Sequence, residues 1–130
     1  MKITSFKHAC TLLKKLTGVD YSPLPVVDKL PEHLKTPVVS QYKIWVIAEA
    51  ARAGEKLSRG YYPYFWLDRA GSGSGFAYNV YAYDIAYSSV GARHEFPDYE
   101  SAIYAGKKHQ DLYKDVMVIK ETEYLIAKAK

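Results

Sequence analysis

The chain has 130 residues, a length typical of a single domain that buries about two thirds of its unfolded surface. Its formal net charge of +4 is mild: it is compatible with an anionic partner, and solubility alone also produces it. One cysteine excludes a disulfide framework and a multi-cysteine metal site, and no apolar run approaches the roughly 20 residues of a membrane span. We therefore expect one domain over residues 1–130, without membrane contact, in the cytoplasm by default because no secretory leader begins the chain.

The first predicted element is a helix that begins after Thr4 or Ser5, either of which can cap it, and ends at Gly18. Cys10 lies on its buried face and is expected to be an inert core thiol. The apolar side chains of that face recur at the i, i+3, i+4, i+7 spacing: Phe6, Ala9, Cys10, Leu13 and Leu16.

A proline-containing connection leads to the second predicted helix. Residues 19–36 carry three prolines and no sustained periodicity, so they are predicted to be extended and packed by their own apolar side chains. Thr36 followed by Pro37 is a typical helix start, and Gly54 is a typical residue after a helix end. The middle of this helix is apolar nearly all round, which predicts a central helix packed on more than one side.

The rest of the chain is organised around residues 61–96, where aromatic residues are abundant and charges are few. Such residues favour a pleated, half-buried surface. Strands are predicted at 61–67, 76–83 and 88–96, and the Gly-Ser run 71–75 is predicted to be the hairpin loop between the first two.

Asp98 is the clearest helix cap in the chain, and an apolar face follows it for five turns. His109 lies on that face, where a core histidine bonded to backbone or to a tyrosine is favoured over a catalytic base or a metal ligand. Residues 121–130 are predicted to be a frayed helix or disordered. The predicted fold class is therefore α+β, with two N-terminal helices, a three-stranded antiparallel meander and a C-terminal helix packed on a shared core.

No motif of the chain points to catalysis or to a cofactor. The run 71–75 lacks the Gly-Lys-Ser/Thr of a phosphate loop and precedes an aromatic strand rather than a helix. The four histidines lie at no ligand spacing, and no Ser, Cys or Thr stands in a hydrolase motif. His94, between Arg93 and Glu95, is open to two interpretations: an acid–base patch, or the solvent-facing end of a strand. We predict no catalytic residue, no metal site and no cofactor.

Aromatic and basic residues together form the remaining functional signal. Alternation along the second strand places Tyr81 and Tyr83 on the outward face, in a patch larger than soluble monomers usually expose. Rings stacked with guanidinium groups can hold a protein hot spot, a base or a sugar. The competing interpretation is that these rings only cover the core of a small domain. The candidate binding residues are Tyr61, Tyr64, Tyr81, Tyr83 and Arg93.

Five short motifs lie between residues 61 and 115: YPYF at 62–65, SGF at 74–76, SSVGAR at 88–93, YAGK at 104–107 and DLYKD at 111–115. On these motifs the chain resembles a family of small uncharacterised proteins found in phages and integrated elements of gut bacteria. It departs from the family pattern at His94, where an apolar residue is usual, and at residues 108–110, where an aromatic residue normally follows. The family has no assigned activity, so the resemblance implies only a phage-type accessory context.

Three functions are compatible with these residues. A non-catalytic protein that binds a host or virion protein, or a second copy of itself, comes first, because contact residues are abundant and reactive arrangements are scarce. A binder of nucleic acid or nucleotides, favoured by the mixture of Tyr and Arg, is the alternative. An enzyme without a recognisable motif comes third and would depend on His94, Glu95 or His109. The expected location is the cytoplasm of a bacterial host, or the virion.

Overall fold

The structure is a computed structural model, described here for residues 2–55, 57, 59–67, 76–84, 92–119 and 123. Four α-helices form most of the regular structure in these ranges, together with one antiparallel pair of strands. None of the described helices is both long enough and apolar enough to cross a membrane. In chain order the elements are α1 (Phe6–Thr17), α2 (Glu32–Ala51), β1 (Gly60–Leu67), β2 (Phe76–Asp84), a short 3-10 helix (Ala92–His94), α3 (Tyr99–Lys108) and α4 (Gln110–Met117).

The predicted α+β fold with a three-stranded meander is wrong, because the described chain is mainly helical and its strands form only a two-stranded hairpin. Where the third strand was predicted, Ala92–His94 form a 3-10 helix, and Phe96 makes a single antiparallel bridge to Tyr61. Two backbone hydrogen bonds form that bridge, Tyr61 N to Phe96 O at 2.9 Å and Phe96 N to Tyr61 O at 2.6 Å. Pro97 has no N–H with which to continue the pairing. The remainder of the predicted strand, 88–91, and the predicted loop 71–75 lie outside the described residues.

Helix α1 agrees with its prediction at both ends. The Ser5 hydroxyl accepts a hydrogen bond from His8 N at 3.0 Å, and Gly18, at φ 76°, donates its N–H to Lys14 O at 2.8 Å. Only glycine adopts such a positive φ without strain, which explains why the helix ends there. Cys10 is buried, as predicted, whereas Leu16 at the end of the predicted stripe is exposed.

Helix α2 begins earlier than predicted. Pro31 is its N-cap in extended backbone, so Pro37 lies inside the helix instead of at its start. Both prolines are acceptable helix starts, and the missing N–H of Pro37 removes one intrahelical bond in an early turn. The helix ends at Ala51 with Arg52 as its C-cap, and Gly54, at φ 72°, donates its N–H to Glu49 O at 2.9 Å.

The connection before α2 is more exposed than predicted. Val26 is 88% exposed, and Leu24 and Leu30 are also exposed. These side chains therefore do not pack the connection as expected. The connection is held at Tyr21 instead, which packs against the apolar core and whose carbonyl oxygen accepts a hydrogen bond from the Tyr42 hydroxyl on α2 at 2.7 Å.

The apolar core is divided into two clusters. Ile47 of α2 packs in the larger one with Ala102 and Ala105 of α3, while Ile44 packs in a smaller one with Tyr113 of α4. Leu112 contacts both clusters and connects them. Helix α1 contributes Ala9 and Leu13 to the larger cluster, so α1, α2 and α3 meet there, whereas Ile44 and Ile47 of α2 face different neighbours.

The predicted C-terminal helix is divided at His109 into α3 and α4. Asp98 caps α3 as predicted, accepting from Ser101 N at 2.7 Å. His109 leaves helical geometry, and its Nε2 lies 2.8 Å from Ile3 O, a carbonyl that can only accept. His109 is therefore a core histidine bonded to backbone, as predicted, and it holds the N-terminal segment against the helices. The predicted tail 121–130 lies outside the described residues except for Glu123.

Candidate binding cleft

The structure separates the predicted binding residues. On the hairpin, Tyr61 pairs with Tyr83 and Pro63 pairs with Tyr81. Tyr61 is half-buried and packs against the larger core cluster, so it contributes to the core. The side chains of Tyr64, Tyr81 and Tyr83 lie outside the described residues.

Arg93 lies instead beside α2, where the 3-10 helix brings it to Trp45. Its guanidinium carbon is 6.0 Å from the centre of the Trp45 ring, within the range of a cation–π contact. The neighbouring His94 approaches the same indole edge-on, with ring centroids 6.4 Å apart at 73°. Trp45 Nε1 donates a hydrogen bond to His94 Nε2 at 3.2 Å. Trp45 is 39% exposed, so these contacts hold its indole in place at the surface.

Arg52 fixes the turn that carries Arg93 and His94. Its Nη1 donates to the backbone carbonyl of Arg93 at 3.3 Å and to that of Glu95 at 3.0 Å. Burial lowers the pKa of Arg52, and the neighbouring Arg93 adds to this effect while Glu49 and Glu95 oppose it. Because Arg52 follows α2 directly, this pair of bonds ties the end of the helix to a turn some 40 positions later.

Next to Trp45 lies a cleft of about 310 Å³, between one face of α2, the start of the proline-containing connection, and Arg93. This volume is at the lower limit of small-ligand sites and suits a single inserted side chain. We call this space, with exposed Trp45 and Arg93 and half-buried His94 at its edge, the Trp45 cleft. Its lining is Val19, Asp20, Tyr21, Tyr42, Trp45, Val46, Glu49, Arg52 and Arg93.

The wall of the cleft formed by the connection is built from polar contacts. The Asp20 carboxylate accepts from both the backbone N and the hydroxyl of Ser22, at 3.0 and 2.6 Å, and these bonds lower the pKa of Asp20. A hydrogen bond to the Glu49 carboxylate raises the pKa of the Tyr21 phenol. The second carboxylate oxygen of Glu49, Oε2, is shielded from solvent and has no hydrogen-bond partner in the described part of the chain. Two carboxylates thus balance the two guanidinium groups of the cleft.

The chemistry of these groups favours binding over catalysis. His94, the histidine at the edge of the cleft, uses Nε2 as an acceptor for the Trp45 indole, so that lone pair is not available to remove a proton from a substrate. Burial, together with the charge of Arg52, holds the pKa of His94 below its usual value. Within the described ranges no three His, Cys, Asp or Glu side chains are placed to hold a metal ion.

Sequence reasoning found Arg93 but missed Trp45, and it left His94 between two interpretations. The local signal for Trp45 was its position on one face of the predicted helix. Along this face, residues recur at helical spacing and change from aromatic to charged: Tyr42, Trp45, Glu49 and Arg52. Nothing local indicates that this face meets residue 94, because the contact is 49 positions away along the chain.

No protein-family model, curated protein or solved structure matches this chain. The function is therefore inferred from the geometry of the Trp45 cleft.

Proposed function

We propose that the protein acts by non-catalytic binding to another protein, and that the Trp45 cleft is its contact surface. The observation that supports this most directly is the exposed indole of Trp45, held by its hydrogen bond to His94 and covered on one side by Arg93. Trp, Tyr and Arg are the residues in which binding energy is most often concentrated. A side chain that is already fixed also loses little conformational freedom on binding, so more of its contact energy remains as affinity.

The partner is a host or virion protein, or a second copy of this chain. The resemblance to phage accessory proteins supports a host protein or a virion protein as the partner. It also favours the bacterial cytoplasm or the virion as the location. The outward sheet face with Tyr81 and Tyr83 remains a second predicted contact.

A nucleic-acid or nucleotide ligand is the second candidate, favoured by the contact between Arg93 and Trp45, which resembles the stacked platforms of single-strand binders. The charge of the cleft argues against it. Asp20 and Glu49 line the same space as Arg52 and Arg93, and their carboxylates repel phosphate groups. A protein partner, which can match both signs of charge, fits this lining better.

The proposal is tested with the variants Trp45→Ala and Arg93→Ala. Sedimentation measures self-association, and capture from extracts of the natural host detects a foreign partner. Val26→Ala is the matched control, because Val26 is highly exposed but lies on the connection outside the cleft lining. We expect both cleft variants to lose the association and the control to retain it. Equal association by all four proteins would refute the proposal. Binding to single-stranded DNA that falls steeply with salt would establish the second candidate instead.

A further inference from the structure

We propose that His94 is a pH switch for the Trp45 cleft: the neutral imidazole holds Trp45 in its binding position, and protonation releases it. The role of this switch in binding rests on the proposed function. The coupling between the two side chains does not, and it is tested separately.

The argument begins with the donor and acceptor roles of the two rings. The indole Nε1–H of tryptophan can only donate a hydrogen bond. At 3.2 Å from it, His94 Nε2 must therefore accept, which requires a neutral imidazole with its proton on Nδ1. Gln41 Nε2 lies 3.4 Å from the same ring nitrogen. Protonation of His94 would place an N–H where the lone pair now lies, so two donors would face each other and the bond would be lost.

The charged groups of the neighbouring elements determine how readily that proton binds. Arg52, which directly follows α2, disfavours a positive charge on His94. Arg93 is the other cation of this region, and Glu49 of α2, Asp20 of the connection and Glu95 are its carboxylates. Burial raises the pKa of the Glu95 carboxyl group, which disfavours the negative charge that could compensate a proton on His94. Burial and Arg52 are the influences that dominate at His94, and both favour the neutral ring. The switch therefore operates on the acidic side of the ordinary histidine value of about 6.5.

A second buried histidine supplies an internal contrast. His109 Nε2 lies 2.8 Å from Ile3 O, and because a carbonyl only accepts, that nitrogen must donate. Protonation at Nδ1 leaves this donor in place. Burial also holds the pKa of His109 below its usual value, yet of these two histidines it is His94 whose protonation removes the contact itself.

Release of Trp45 would reduce binding in a defined way. Without the bond to His94, the indole regains rotational freedom, and a partner must restrict that freedom again. The net contribution of one such hydrogen bond corresponds to about a fivefold change in affinity, which is the loss we expect between neutral pH and the acidic end of the titration.

The coupling is tested by proton–nitrogen NMR of the full chain, by following the indole N–H resonance of Trp45 from about pH 8 to about pH 5. Trp45→Phe identifies this resonance by its disappearance. We expect the resonance to move with the same midpoint as the ring protons of His94. His94→Gln offers a carbonyl oxygen to the indole but does not titrate, so it should abolish the movement. His109→Gln is the control and should leave the movement unchanged.

The switch is overturned if the Trp45 resonance does not respond to pH, or if its response persists in His94→Gln. Should His94→Gln fail to fold, the agreement of the two midpoints in the wild-type protein decides the question. Failure of the switch and failure of the proposed function give different results. If the Trp45 resonance does not titrate but Trp45→Ala loses capture, only the switch is refuted. If the resonance titrates normally but Trp45→Ala retains full capture, only the binding site is refuted.

Discussion

The carboxyl group of Glu95 lies directly against Gly60, in the space that a side chain at position 60 would occupy. A Cβ built on Gly60 would overlap the carboxyl carbon of Glu95. Glu95 itself is 6% exposed, and its Oε2 has no hydrogen-bond partner within the described residues. Glycine is needed at the start of β1 because of this neighbour, which lies beside the Tyr61–Phe96 bridge.

Gly60→Ala should therefore destabilise the protein by about 1–3 kcal/mol, the range expected when a group is forced into an occupied space. Urea denaturation measures the change. In a double-mutant cycle, Glu95→Ala should remove part of this cost, because it vacates the space of the carboxyl group but keeps the Cβ of residue 95, which lies 2.6 Å from the position of the new methyl group. Additive effects of the two substitutions would contradict this explanation.

Glu95→Gln should change how stability depends on pH. Burial raises the pKa of Glu95, with Arg52 opposing, so this carboxyl group binds its proton more tightly in the folded protein than in the unfolded chain. The contribution of this group to stability is thus fully present below the unfolded pKa and is lost as pH rises through the folded pKa. We expect Glu95→Gln, which cannot ionise, to gain stability relative to the wild type between acidic and neutral pH. Urea midpoints measured at several pH values test this, and a constant difference would contradict it.

Arg52→Gln should raise the pKa of His94 towards the ordinary histidine value, because it removes the positive charge that now disfavours the imidazolium. The glutamine amide can still donate a hydrogen bond to the turn, which limits the structural damage. Lys29→Gln is the matched control, because it also removes one positive charge but at an exposed position on the connection. The measurement is the NMR titration of the His94 ring, and an equal shift in both variants would show that only net charge matters.

His109→Ala should cost about 1–3 kcal/mol, because it leaves the buried Ile3 carbonyl without its donor. His109→Gln, which can still donate, should cost less. The pKa of His109 is lowered by burial, so the wild-type protein should lose stability as pH falls below the unfolded value of about 6.5. His94 adds to the same trend, so the dependence should weaken, not vanish, in His109→Gln. Urea denaturation across this pH range is the measurement.

Most of the features predicted correctly from the sequence are set by neighbouring residues. The Ser5 cap, the Gly18 end, the Asp98 cap and the burial of Cys10 each depend on a few positions along one helix. The 3-10 helix at Ala92–His94 could not be found in this way. Its polar residues alternate as in a strand end, but their conformation is fixed by Arg52 and Trp45 on a distant helix. The Trp45 cleft was missed for the same reason, since it exists only once α2 and that turn are in contact.

The burial of Cys10 has a practical consequence. It is the only thiol of the protein, and burial, with the negative charge of Asp20 adding to the effect, raises its pKa. Thiol-directed reagents need an accessible thiolate, so we expect the native protein to react with them very slowly. A cysteine introduced at the exposed position 26 would then be the single reactive handle for a fluorophore or spin label. Such a label would report on partner binding from outside the Trp45 cleft without any need to replace the natural cysteine.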